Sequence, residues 1–320
     1  MKKIRLSIII INYNTGALLK QCLESLGHGR WDKGDGEIIM VDNGSTDGSV
    51  EWLKQLGVKE KNHGQREKKF PPVHIPYPIS LILNKENLGF AKANNQALKQ
   101  ARGKYILFLN SDTIVPKRTI PELITHLEKN SGVGVVTPKL KLRSGKIDPD
   151  CHRGFPTPWA AFCYFTGLEK LIPRSKIFGQ YHQTGKDLNA IHEIDACCGA
   201  FLLTRKKILE KVGGFDESYF FYGEDLDFCF RIKQKGWKVI YYPKVSVIHY
   251  KGASSNLRKE SKDIAKTSRS VRIKVAGASA QAMEIFYNKF YHMSMKKRLY
   301  QLIILHVLIF LSSIINGKSG

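Results

Sequence analysis

Apolar positions in the first third of the chain come in short blocks separated by polar punctuation. Leu6 to Ile11 is a β-branched run, as expected of a parallel strand buried on both faces. Ala17 to Leu26 then carries a helical pattern, Glu37 to Val41 a second strand and Ser49 to Leu56 a second helix. Ser80 to Leu83 predicts a third strand, Phe90 to Ala101 a helix and Tyr105 to Leu109 a fourth strand. This alternation implies an α/β fold with a Rossmann-like, mostly parallel sheet, right-handed crossovers and helices on its faces. Ligands of such sheets bind at the carboxyl ends of the strands.

The later pattern is less regular. Gly57 to Pro78, rich in Lys, His, Gln and Pro, reads as a long surface loop, and Pro138 to Pro158 as a second irregular stretch. Asp195 to Thr204 is strand-like, and Lys206 to Val212 reads as a short helix. Gly223 to Lys235 reads as a further helix, with Lys238 to Tyr242 and Val245 to Ile248 as strands. From Lys251 to Tyr300 twelve Lys/Arg face three Asp/Glu, and an apolar run follows from Leu302 to Ile315. That run is shorter than the roughly 20 residues a spanning helix needs. Behind the basic cluster Lys296-Lys297-Arg298 it suits a helix lying in a membrane interface, or one packed on protein. The expected organisation is a domain over 1–255, with halves at 1–115 and 116–255, and a basic helical tail over 256–320.

Composition sharpens this picture in two ways. With 51 Lys+Arg against 28 Asp+Glu the net charge is +23, a field that attracts anions such as nucleic acid, lipid headgroups or phosphorylated small molecules. The six cysteines form no Cys-x-x-Cys pair, so zinc is disfavoured and buried, reduced thiols are expected. The short basic start lacks the apolar region and cleavage site of a secretory signal, which points to a cytoplasmic protein.

Polar residues follow each of the four strands: Asn12-Tyr13-Asn14, Asp42-Asn43-Gly44-Ser45, Asn87-Leu88-Gly89-Phe90, and Asn110-Ser111-Asp112. One such end is ordinary turn chemistry. Four on one sheet edge form a polar crevice suited to a nucleoside diphosphate. Asp42 could accept a pyrimidine imide N–H, Tyr13 could offer a packing surface, and Asp112 could hold Mg²⁺ or Mn²⁺ against the diphosphate. No G-x-G-x-x-G and no Walker A sequence is present. Further on, acids at Glu224, Asp225 and Asp227 crowd a helix start behind the aromatic run Tyr219–Tyr222. Helix-dipole complementarity explains acids there, and so would a general base kept in an apolar setting. His249, after an apolar strand, is a candidate metal or diphosphate contact.

Together these segments resemble glycosyltransferase family 2, in particular its rhamnosyltransferase-like branch. The resemblance rests on Leu6–Asn14, Val41–Asp47, Asn87–Asn95, Leu107–Asp112, Gly199–Arg205, Gly213–Glu217, Glu224-Asp225 and His249–Gly252, in the family's order over roughly residues 4–255. It implies a GT-A fold, a nucleotide-diphosphate sugar donor and inversion at the anomeric carbon. Asp42 becomes the base-recognition residue, with Asn12, Tyr13, Asn14, Asn43, Asn87, Gly89, Phe90, Asn94, Asn110 and Ser111 around the donor. Asn110-Ser111-Asp112 stands for the Asp-x-Asp metal motif, with His249 as a further ligand, Asp225 as catalytic base and Glu224 beside it. Asn110 departs from the first acid of that motif and leaves Asp112 as its single carboxylate. The resemblance favours dTDP-rhamnose over a UDP-hexose, with a surface-glycan or polyprenyl-diphosphate-linked acceptor, and the basic tail with its apolar end suits a peripheral position on the inner face of the cell membrane. A nucleotidyltransferase would carry a Gly-rich basic loop after the first strand, which is missing. A nucleic-acid-binding protein matches the charge, but no recognition motif accompanies it.

Overall fold

The computed structural model describes residues 4–27, 35–55, 59–60, 77–172, 174–252 and 269–291. Its frame is a ten-stranded sheet. β1 (Leu6–Asn12), β2 (Gly36–Asp42), β4 (Ile79–Leu83) and β5 (Tyr105–Asn110) form the parallel part, with β3 (Lys59–Glu60) at its edge. α1 (Gly16–Gly27), α2 (Ser49–Gln55) and α3 (Phe90–Leu98) are the intervening helices. Ile8, Ile9, Ile10, Met40, Val41 and Leu107 are buried completely. Strands covered by helices on both faces must be apolar on both, and that is why these runs do not alternate.

The second part turns the sheet antiparallel. After β6 (Thr113–Ile114), α4 (Thr119–Lys129) and β7 (Val133–Leu142) come a 3₁₀ turn at Pro149–Cys151 and the short helices α5 (Pro158–Thr166) and α6 (Leu168–Leu171). β8 (His192–Ile194), β9 (Phe201–Arg205), α7 (Lys206–Val212), α8 (Glu224–Gln234), β10 (Lys238–His249) and α9 (Arg269–Phe290) complete the order. β9 lies antiparallel to both β5 and β7, and β10 runs parallel to β7. β10 also pairs antiparallel with β6, which brings His249 opposite Thr113.

Two expectations need correction. Pro138–Leu142 belongs to strand β7 and is not loop. The two strand segments after Lys238 are one strand, interrupted by a register shift between Tyr242 and Ser246, opposite Pro138 and Lys139. Prolines cannot donate to a ladder, so Pro138 and Pro243 gather where the pairing is already broken. Most of the predicted loop 57–78, the cluster Lys296–Arg298 and the run Leu302–Ile315 lie outside the described residues. Among those described, no helix is long and apolar enough to cross a membrane. All six cysteines are free and buried.

α9 is joined to the core by Phe286, fully buried, whose ring lies 5.6 Å from Phe230 of α8. Beside it Lys289 Nζ reaches Asp227 and Asp216, each at 2.6 Å. Asp227 also accepts from Arg231 Nε at 2.5 Å and is wholly buried. The third acid of the helix start is therefore a structural hub between α8 and α9. Asp227→Ala takes the buried carboxylate from Arg231 and leaves Lys289 with Asp216 alone, and should cost about 3 kcal/mol of folding stability, read as a lowered urea midpoint. A loss below about 1 kcal/mol would place the cluster with weak surface ion pairs.

Candidate active site

The parallel register sets the crevice. Asn12 stands opposite Asp42, Asp42 opposite Leu83, and Ile11 opposite Asn110, so the polar residues beyond these strands meet on one edge. Asn12 Nδ2 donates to Asp42 Oδ2 at 2.7 Å and to Ser45 Oγ at 3.1 Å. Ser45 N donates to Asp42 Oδ1 at 2.9 Å. Both Asp42 oxygens are thus oriented by the neighbouring loops, although the residue is almost entirely buried. Asn14 takes the left-handed conformation, φ 54°, which asparagine tolerates, and its Oδ1 accepts from Thr46 N at 2.7 Å. Thr15 Oγ1 links Asn12 Oδ1 and Ser111 Oγ, both at 2.7 Å. Tyr13 and Asn110 are half-buried at the strand ends.

Asn43, Asn87 and Gly89 form the next wall. Asn43 Nδ2 donates to Asn87 Oδ1 at 2.9 Å, while Asn43 Oδ1 accepts from Leu88 N at 3.1 Å. Asn87 Oδ1 also accepts from Gly89 N at 2.9 Å. Gly89 has φ +87°, and a Cβ there would stand 2.6 Å from the Phe220 carbonyl. That approach lets Phe90 N donate to the same carbonyl at 2.9 Å and ties the crevice to the loop before α8. Asn94 caps nothing outside α3; its Nδ2 donates to Phe90 O at 2.9 Å.

At the other end of the edge Asp112 and His249 meet. His249 Nε2 lies 3.3 Å from Asp112 Oδ1, and Nδ1 is 2.9 Å from Asp148 Oδ2. Lys251 pairs with both Asp148 and Asp150. Burial by itself would lower His249, but the Asp112 and Asp148 carboxylates outweigh it and raise it to about 9. Burial would raise Asp148, yet His249 and Lys251 hold it well below the usual carboxylate range. Among the described residues no three metal-ligating side chains converge. A hard divalent cation nevertheless suits this pair: Asp112 Oδ1 is buried with His249 Nε2 3.3 Å away, and a cation held by both would take the place of the imidazole proton. A histidine held from behind by a carboxylate is the usual arrangement of a metal-ligating imidazole.

At the start of α8, Asp225 Oδ2 receives Arg153 Nη2 at 2.7 Å and Gly199 N at 3.2 Å. Both partners of the ion pair are buried. Glu224 is also buried, and its Oε2 has no hydrogen-bond partner. Burial, reinforced by the Asp225 charge, raises its carboxyl to about 8. One carboxylate is thus paired with a guanidinium, and the carboxyl beside it is raised toward its protonated form by burial and by that neighbouring charge.

The chain therefore brings Asn12, Asp42, Asn43, Asn87 and Gly89 into one bonded wall and sets Asp112 beside His249. It places Glu224 and Asp225 on the helix joined to that wall. Asp148 and Arg153 were not singled out from sequence. Their setting, Asp148-Pro-Asp-Cys-His-Arg153, is a dense charge pattern after an Asp-Pro turn start, and that density was the available signal.

A family model described as glycosyl transferase family 2 matches residues 7–213, and one described as N-terminal domain of galactosyltransferase matches residues 179–253. The chain is similar to N-acetylglucosaminyl-diphospho-decaprenol L-rhamnosyltransferase of Mycobacterium tuberculosis, 24% identical over 262 residues, which span 78% of this chain and 77% of that protein. It is 29% identical over 171 residues to rhamnosyltransferase WbbL of Escherichia coli, across 51% of this chain and 61% of the relative. In structure it resembles a mannosyltransferase of Pyrobaculum calidifontis in complex with GDP-Man and Mn²⁺, with TM-score 0.52 and 16% identity, over 96% of this chain and 80% of that one. A likeness at that identity shows the fold, which is the GT-A architecture implied by the motifs.

The raised Glu224 has a consequence for stability. The folded chain keeps a proton that the unfolded chain releases above its ordinary value of 4.5, so this group makes stability fall as pH rises from there to about 8. Glu224→Gln removes that decline. Urea midpoints of the variant should gain on wild type steadily across that window; parallel curves for the two proteins would contradict the raised carboxyl.

Proposed function

The chain belongs to glycosyltransferase family 2, and from that premise we propose that it transfers a sugar, with inversion, from a nucleoside diphosphate to an acceptor hydroxyl. What carries this reading is the order of groups along one sheet edge. An oriented carboxylate, Asp42, lies at one end and the buried Asp112–His249 pair at the other, with the Glu224-Asp225 helix start tied to the same wall. Asp42 recognises the base, with Asn12, Tyr13, Asn14, Asn43 and Asn87 shaping its surroundings. Asn110, Ser111, Gly89, Phe90 and Asn94 complete the donor wall.

Asp112 and His249 would hold a divalent cation, Mg²⁺ or Mn²⁺, which would supply charge stabilisation to the departing diphosphate. Asp225 takes the proton of the acceptor hydroxyl as that oxygen attacks the anomeric carbon from the face opposite the diphosphate. Arg153 pairs with Asp225 and fixes its direction. Glu224, protonated, can donate to an acceptor oxygen next to it. The nucleotide groups belong to residues 1–115 and the acceptor groups to 116–255.

The rhamnosyltransferase relatives support dTDP-rhamnose as donor, ahead of UDP-hexoses. The first of them is named for a diphospho-decaprenol substrate. Together with the +23 charge this supports a lipid-linked or surface-glycan acceptor, and a peripheral position on the inner face of the cell membrane. The experiment is steady-state kinetics with dTDP-rhamnose and an acceptor glycan. Asp225→Asn should lose at least about 10²-fold in kcat, the usual share of a general base, with the donor KM little changed. Near wild-type turnover would remove Asp225 as base.

A further inference from the structure

The hairpin of α5 and α6 wears its apolar side chains outside. Ala160 and Cys163 are its buried side, whereas Trp159, Phe162, Phe165, Leu171, Ile172 and Ile177 are between 39% and 75% exposed. These groups are held, not dangling. The Trp159 and Phe162 rings stack with centroids 5.7 Å apart, and Trp159 Nε1 donates to the Ile177 carbonyl at 3.0 Å. Soluble proteins seldom expose this many large apolar side chains on one short segment without a use for them.

Charge says what covers it. Lys170, Arg174 and Lys176 are exposed around the hairpin, while Lys186 Nζ donates to the Glu193 carbonyl at 2.5 Å beside exposed Asp187. The one acid between Pro158 and Lys186 is Glu169, which is buried and bound to His182 Nδ1 at 2.5 Å. The patch thus offers aromatic and aliphatic groups for an apolar layer and cations for an anionic layer above it. An anionic bilayer has that profile, with Trp and Phe settling at headgroup depth and Lys and Arg on the phosphates. A second copy of this chain does not, since it would oppose like charges on a protein of net +23.

The placement is also directional. α5 begins five residues after Arg153, the partner of Asp225. Phe155 between them packs 4.8 Å from Phe230 of α8. The exposed hairpin therefore grows from the wall that carries the acceptor-side carboxylates.

We propose that the α5–α6 hairpin is a membrane-docking surface, which inserts its aromatic side chains among the headgroups of an anionic bilayer. Its purpose rests on the reading of a lipid-held acceptor; its existence rests on the patch itself. The test is sedimentation of the full chain with vesicles of phosphatidylcholine and phosphatidylglycerol, alongside transfer to a water-soluble acceptor. Two triple variants are compared, Phe162→Ser/Phe165→Ser/Leu171→Ser and Lys170→Glu/Arg174→Glu/Lys176→Glu. Each should bind the mixed vesicles at least about tenfold more weakly than wild type, with soluble transfer unchanged. Undiminished binding by both variants overturns the proposal, as does a wild type that ignores the vesicles or forms a dimer that the serine variant dissolves. Vesicle binding without any transfer by wild type would keep the docking surface and sink the transferase reading.

Discussion

A carboxylate with no exposure to water must be met by cations or donors, because an uncompensated buried charge costs several kcal/mol. Asp148 is such a group, and much of the site follows from how it is met. His249 and Lys251 reach it from the end of β10, and its own turn adds the Asp150 N–H at 3.1 Å. Satisfying Asp148 fixes the last strand against the short β6. It also turns the His249 ring so that Nε2 faces Asp112, while Tyr250 N donates to the Asp112 carbonyl at 2.9 Å. The Asp112–His249 pair is thus a product of a structural ion cluster behind it.

The same short segment also reaches the start of α8. Arg153, five residues beyond Asp148, bridges to Ala196 and pairs with Asp225. The Asp112–His249 pair and the Asp225 carboxylate are therefore held by one stretch of backbone, as the proposed transfer requires. In-line displacement needs leaving group and base on opposite sides of one carbon at fixed separation. A short rigid connection between their supports is an economical way to hold that distance. Along the parallel strands, the Asn12–Asp42–Ser45 bonds and the Gly89–Phe220 approach hold the other wall in the same way.

What could be read from sequence divides along physical lines. β1, β2 and β5 were legible because a strand buried on both faces has to be an apolar block, and the polar residues that end each block mark the ligand edge. The Glu224-Asp225 helix start was legible as a cluster, but Asp227 could be separated from its neighbours only once Arg231 and Lys289 were seen to enclose it. Pro138–Leu142 read as loop because proline usually breaks a strand, and the compensating register shift lies in β10, about a hundred residues away. Asp148 and Arg153 were hidden for the same reason. Their partners stand 101 and 72 residues off, and no local pattern encodes such a pairing.

The central claim is that the strand-end edge holds a nucleoside diphosphate, with Asp112 and His249 at its phosphates. Calorimetric titration of dTDP into the full chain, with and without Mn²⁺, for wild type and Asp112→Asn tests it most directly. The account predicts saturable binding by wild type that Mn²⁺ tightens, and a variant in which the Mn²⁺ effect is lost. Absence of nucleotide binding by wild type, or an equal Mn²⁺ effect in both proteins, would contradict it.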